Sequence, residues 1–123
     1  MKHLIWIVIL AACSRHPAPA APSSELAQHR AQMLGWLTEY TEAGVFPTDE
    51  AGLPVSVFKD SHGVRCPMAE LIFRSGHADL VDAIAAEDNH ARLADVHDGP
   101  VHDWMLGSGL THDESNRPAC IKS

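Results

Sequence analysis

Nine histidines and three cysteines are the residues of this 123-residue sequence that could bind a metal or react chemically. The tightest grouping is two His-Asp pairs, His97-Asp98 and His102-Asp103, which lie five residues apart on either side of a Gly-Pro dipeptide. Imidazole and carboxylate groups are ligands that zinc and other divalent transition metals accept. The sequence has no His-Glu-x-x-His or Cys-x-x-Cys pattern, so this spacing fixes no coordination geometry. His97 and His102 are therefore weak candidates for a metal site, and solvated histidines are the simpler interpretation.

Common catalytic motifs are missing from the sequence. Gly107-Ser108-Gly109 lacks the full Gly-x-Ser-x-Gly pattern of a nucleophile elbow, and no glycine-rich phosphate loop follows a predicted strand. Nine Lys and Arg residues against sixteen Asp and Glu residues give a net charge of -7. A partner made of nucleic acid is not expected, because phosphate binding needs clustered basic residues. We expect neither an enzyme nor a bound cofactor.

The N-terminus has the pattern of an export signal. Residues 1–3 are a short basic start, and residues 4–10 are an unbroken apolar run that is far shorter than the roughly 20 residues of a membrane-spanning helix. Leu10-Ala11-Ala12-Cys13 then resembles the lipobox of bacterial lipoproteins. The resemblance implies that residues 1–12 are a signal peptide, and that Cys13 is diacylated on its thiol and acylated at the new amino terminus. An ordinary secretory signal cut nearby and a retained hydrophobic N-terminus are the alternatives.

Residues 13–24 are predicted to be a tether between the lipid and a globular domain at 25–123. The segment contains three prolines and no large apolar residue, so it favours extended polyproline II. Such a tether would hold the domain up to roughly 30 Å from the lipid surface. Ser14 stands where an aspartate would favour retention at the inner membrane of a lipoprotein. We therefore expect an exported protein, anchored in the bilayer of the outer membrane through the acyl chains on Cys13 and facing the periplasm.

The odd number of cysteines agrees with this interpretation. Lipidation of Cys13 leaves Cys66 and Cys120, and an oxidising compartment favours a disulfide between them. The bridge would close a loop of more than 50 residues and contribute about 4 kcal/mol in the loop-entropy model. The alternative is a reactive or metal-binding thiol at Cys66, which precedes Pro67 at a predicted helix start.

The domain is predicted to be mainly α, a small bundle of four to five short helices with one short β-hairpin or ordered loop. A first helix over about 25–43 has Ser24 as its N-cap and Gly44 just after its end. Residues 54–66 have the composition of two short strands around a turn. Spacings of three and four place Leu26, Arg30, Met33, Leu37 and Tyr40 on one stripe of the first helix, with Leu34 and Trp36 beside it.

Three more helical segments and a final turn follow. Pro67 suits the first position of a helix that continues to residue 75, and a third helix covers about 77–88. Residues 90–96 can add a further turn, and residues 101–106 form a short helix after a break at Asp98-Gly99-Pro100. The Thr-x-x-Glu spacing of Thr111 and Glu114 predicts a capping box. The expected buried residues of these segments are Leu80, Val81, Ile84, Ala85 and Trp104, and Trp36 is expected to join them.

Several short motifs between residues 34 and 120 resemble a set of uncharacterised small exported bacterial proteins. They are Phe46-Pro47, the run from Gly63 to Ile72, Ser75-Gly76, Leu80-Val81, Ile84-Ala85, Asp88-Asn89, Ala91, Trp104 and Gly109-Leu110-Thr111. The final helix departs from that pattern, since Ser115-Asn116-Arg117 replaces an alanine-rich stretch. The resemblance implies one ordered domain and a structural role for the region around Cys66.

The sequence therefore favours a membrane-anchored accessory or interaction module of the bacterial envelope, with an envelope protein as its partner. A periplasmic metal-binding lipoprotein that uses its histidines is the main alternative. A small enzyme or thiol-redox protein acting through Cys66 is a further one.

Overall fold

A computed structural model describes residues 23–116, so the predicted signal peptide, the lipobox, most of the tether and Cys120 lie outside the described residues. The chain between these limits is mainly helical, as predicted. Its α-helices are α1 (Ser24–Ala43), α2 (Pro67–Arg74), α3 (Ala78–Asp88), α4 (Gly99–Gly107) and α5 (His112–Asn116), with a 3-10 turn at Leu93–Asp95.

Helix α1 packs the predicted stripe against the rest of the domain. Met33 and Tyr40 are buried, and Arg30 and Leu37 are half-buried. The Tyr40 hydroxyl donates a hydrogen bond of 2.8 Å to the carbonyl oxygen of Arg65, and burial raises the pKa of Tyr40 to about 12. The stripe therefore anchors α1 to the segment that leads into α2.

The two ends of α1 have the expected kinds of cap, but one prediction was off by a residue. The N-cap is Ser23 and not Ser24, because the Ser23 hydroxyl accepts the Leu26 N–H at 3.2 Å. Gly44 ends the helix as predicted, with a left-handed φ of 67° that lets its N–H donate to the Tyr40 carbonyl.

Helix α2 is the centre of the hydrophobic core. Pro67 occupies its first position, as predicted, where the missing N–H costs no helical hydrogen bond. Four side chains of this eight-residue helix are almost completely buried, with exposures of 1% or less: Met68, Ala69, Leu71 and Ile72. Phe58, Val81 and Trp104 complete this core from the preceding loop, α3 and α4.

The segment predicted as a hairpin or ordered loop forms an ordered loop. Within residues 23–116 its strand pairing is limited to two isolated antiparallel bridges, Thr48 with Pro54 and Lys59 with Arg65. The buried Asp60 carboxylate holds the loop by accepting the N–H groups of Thr48, His62 and Val64 at 2.9–3.0 Å. These bonds, the one from Thr48 first, keep the pKa of Asp60 below its ordinary value.

Asn89 connects this loop to the end of α3. Its side-chain amide donates to the Lys59 carbonyl at 2.8 Å and accepts the Lys59 N–H at 3.0 Å, while its own carbonyl accepts the Phe58 N–H at 2.8 Å. The Asn89 side chain thus pairs with both backbone groups of Lys59, as a residue of a neighbouring strand would. The motif Asp88-Asn89 therefore has a structural role.

A break precedes α4 as predicted, and Gly99 has a left-handed φ of 80°, but the helix begins at Gly99 and not at Val101. Asp98 is the N-cap with extended backbone, and Pro100 lies in the first turn, where proline is well tolerated.

The predicted capping box at the start of α5 is confirmed, and both of its hydrogen bonds are present. The Thr111 hydroxyl accepts the Glu114 N–H at 3.1 Å, and the Glu114 carboxylate accepts the Thr111 N–H at 2.9 Å.

Glu114 also joins α5 to α1, through a bidentate ion pair with Arg30. The Arg30 guanidinium, followed by the Thr111 N–H, lowers the pKa of Glu114 from 4.5 to about 2. Because the pKa in the folded state lies below that of the unfolded chain, the pair stabilises the fold fully above about pH 5, and this stabilisation is lost as the pH falls toward about 2.

We therefore expect a Glu114→Gln variant to melt at a lower temperature than the wild type at neutral pH. In acid, the two melting temperatures should become similar. Thermal unfolding followed by circular dichroism across this pH range measures the difference. Glu42→Gln, which removes an exposed carboxylate from α1, is the matched control and should keep the wild-type pH dependence. An equal change of slope in both variants would contradict a specific role for the Arg30–Glu114 pair.

Candidate functional site

The histidines predicted as weak metal candidates lie in different surroundings. His97 is exposed before α4, and its ring stacks on that of His112 with centroids 5.9 Å apart, while His102 is half-buried within α4. The Nε2 atom of His112 lies 3.1 Å from the Ala94 carbonyl oxygen. Over residues 23–116, no group of three or more His, Cys, Asp or Glu side chains is arranged to hold a metal ion. Metal binding stays a prediction. The contact between His97 and His112 was not indicated by their spacing in the sequence.

Cys66 lies in the hydrophobic core. It is the N-cap residue of α2, its exposure is 1%, and its N–H donates to the Phe58 carbonyl at 2.9 Å. Reactive cysteines generally lie in partly exposed, electropositive surroundings, so this position is more typical of a structural sulfur. Its predicted bond to Cys120, like the lipidation of Cys13, involves a residue outside the described part of the chain and stays a prediction.

A groove between α1 and α4 is the best candidate for a binding site. Its volume is about 780 Å³, within the range of pockets that take small molecules or peptide segments. The walls come from α1, the end of α2, the start of α3 and α4. Among the lining residues are His29, Trp36, Arg74, Asp79, Asp103 and Trp104.

Two tryptophans give the groove an apolar surface. Trp104 is nearly buried, and its indole N–H donates to the Ser75 hydroxyl at 2.8 Å, which in turn donates to the Ile72 carbonyl. Trp36 is half-buried and packs against the core cluster. Both residues are core anchors as predicted. Both side chains also line the groove, which depends on how the helices pack and was not predicted.

The charges of the groove are unequally compensated. Arg74 donates from Nε to Glu70 at 3.1 Å and from Nη1 to Glu39, and these bonds, the one to Glu39 first, raise its pKa. Asp79 and Asp103 are exposed, and neither makes a hydrogen bond or ion pair through its carboxylate with another residue in the 23–116 range. The groove thus carries two carboxylates that no Lys or Arg side chain among residues 23–116 pairs with.

The Glu70 carboxylate at the edge of this region belongs to a chain of ion pairs. Burial alone would raise its pKa, but hydrogen bonds from Arg65 at 2.6 Å and from Arg74 outweigh that effect and lower it. The Arg65 guanidinium also lies 3.6 Å from the centre of the Phe73 ring. These contacts tie α2 to α1 and fix Arg74 in the groove wall.

His29 closes one part of the groove wall. Its Nδ1 lies 2.8 Å from the carbonyl oxygen of Gly107, and since a carbonyl only accepts, the Nδ1–H must donate. This bond connects α1 to the last residue of α4. It therefore links the α1 side of the groove to the α4 side.

No protein family, curated protein or solved structure matches this chain in the comparisons made. None of the helices between residues 23 and 116 combines the length and the apolar character that crossing a bilayer requires.

Proposed function

We propose that this chain is a lipid-anchored protein of the bacterial envelope that acts as an accessory binding module. Cys13, in its lipobox-like sequence, is the attachment point for the acyl chains, and the α1–α4 groove is the binding site. The observation that supports binding is this groove, whose walls are linked by the bonds from His29 to Gly107 and from Trp104 to Ser75.

The anchor is tested by expressing the wild type and a Cys13→Ala variant in a Gram-negative bacterium. Two or three acyl chains hold a protein at a bilayer essentially permanently, whereas one holds it marginally. The wild type should stay with membranes after a high-pH carbonate wash, and mass spectrometry should show an acylated N-terminal cysteine. Cys13→Ala should lose both properties. An unmodified Cys13 in the wild type would refute the anchor.

The binding function is tested separately, by cross-linking in intact envelopes. Gln32→Trp places a large side chain into the groove, and Ala31→Trp places the same side chain on the opposite face of α1 as the matched control. Wild type and Ala31→Trp should yield the same cross-linked partner, and Gln32→Trp should lose it. The proposal fails if no partner is recovered and the protein turns over a substrate, or if Gln32→Trp cross-links like the wild type.

A further inference from the structure

We propose that the α1–α4 groove recognises a basic segment of a partner protein, and that a Lys or Arg side chain of this segment binds against Trp36 and the carboxylates of the groove. This inference rests on the proposed binding function and adds the chemistry of the partner.

The first argument is charge. Arg74 is the one Lys or Arg among the described lining residues, and its charge is already balanced by Glu39 and Glu70. Asp79 and Asp103 remain without a countercharge within residues 23–116. A cationic group would supply that countercharge, and the net charge of -7 would attract it over a longer distance.

The second argument is the aromatic surface. The indole N–H of Trp104 is bonded to Ser75 and its side chain is buried, so the half-buried Trp36 offers the groove the larger aromatic surface. Ammonium and guanidinium groups bind favourably to the face of an indole. The chain already contains one such contact, in which the Arg65 guanidinium lies over Phe73. An acidic ligand would meet the two aspartates and find no uncompensated cation in the described wall.

The third argument is size. A volume of about 780 Å³ exceeds what a lone ammonium ion would fill and suits several residues of peptide. Gln32 and His29 in the wall offer hydrogen-bonding groups to the backbone of such a segment. A basic stretch of protein fits these features better than a free amine.

The experiment is a selection of random-sequence displayed peptides on the full chain. Peptides bound by the wild type should be enriched in Lys or Arg next to apolar residues. In solution, the affinity of the best labelled peptide should fall about fivefold to tenfold in Asp79→Asn/Asp103→Asn and should weaken with added salt. Replacing its basic residues by glutamine should have a similar effect.

Glu87→Gln/Asp95→Asn is the matched control, because it removes two exposed carboxylates that do not line the groove, and it should bind like the wild type. Selection of acidic or neutral peptides, or an equal loss in both double variants, would overturn the inference. In that case the cross-linked partner of the envelope experiment would still support the proposed function, so the two can fail independently.

Discussion

Replacing Gly109 by alanine is expected to lower the free energy of unfolding by about 3 kcal/mol. Gly109 has a left-handed φ of 77°, which a residue with a Cβ adopts at a cost. An added Cβ would also lie 2.8 Å from the Cβ of Arg30 and still closer to the backbone oxygen of Leu26. Because that oxygen belongs to helix α1, the clash can be relieved only if α1 moves away from the chain before α5.

The shift would also disturb the contacts that join α1 to the C-terminal part of the domain. The Gly109 carbonyl accepts a hydrogen bond from Arg30 at 3.3 Å, and Arg30 holds Glu114. Urea denaturation followed by circular dichroism measures the loss. Gly52→Ala is the matched control, since its φ is 79° but nothing lies within 4 Å of the added Cβ, and it should cost only about 1 kcal/mol. Equal losses in the two variants would show that close packing at Gly109 has no energetic role.

These glycines show which parts of the fold the sequence could predict. Signals carried by neighbouring residues were reliable: Pro67 begins α2, Gly44 ends α1, and Thr111 and Glu114 form a capping box. Each depends on backbone geometry within one helical turn. The start of α4 was predicted two residues too late, because proline is well tolerated in the first turn of a helix.

Contacts between residues distant in sequence could not be predicted in this way. No sequence signal indicated that Gly109 contacts α1 across 79 residues, and Arg30 was expected on a stripe of the first helix without an ionic partner. The groove also depends on contacts between residues distant in sequence, because its aspartates come from α3 and α4 and its tryptophans from α1 and α4. Which side chains meet there depends on the packing angles of three helices, and no local pattern encodes these.

The second large effect concerns the predicted bond between Cys66 and Cys120. Cys66→Ala and Cys120→Ala should each lower the free energy of unfolding by about 2–4 kcal/mol, because the unfolded chain regains the freedom of a loop of more than 50 residues. Cys66 is 1% exposed, so alanine is a better substitution there than serine, which would leave a hydroxyl in the core. Urea denaturation of the full chain, with and without reductant, measures each loss.

The pattern among variants distinguishes a bridge from a buried sulfur that acts alone. If the bridge forms, the double variant loses no more than either single variant apart from a small packing cost at Cys66, and the reduced wild type falls to the same stability. If Cys66 acts alone through its packing or its chemistry, only Cys66→Ala is destabilised, and reductant leaves the wild type unchanged. Single variants that differ by more than about 1.5 kcal/mol, or a double variant that adds the two losses, would rule the bridge out.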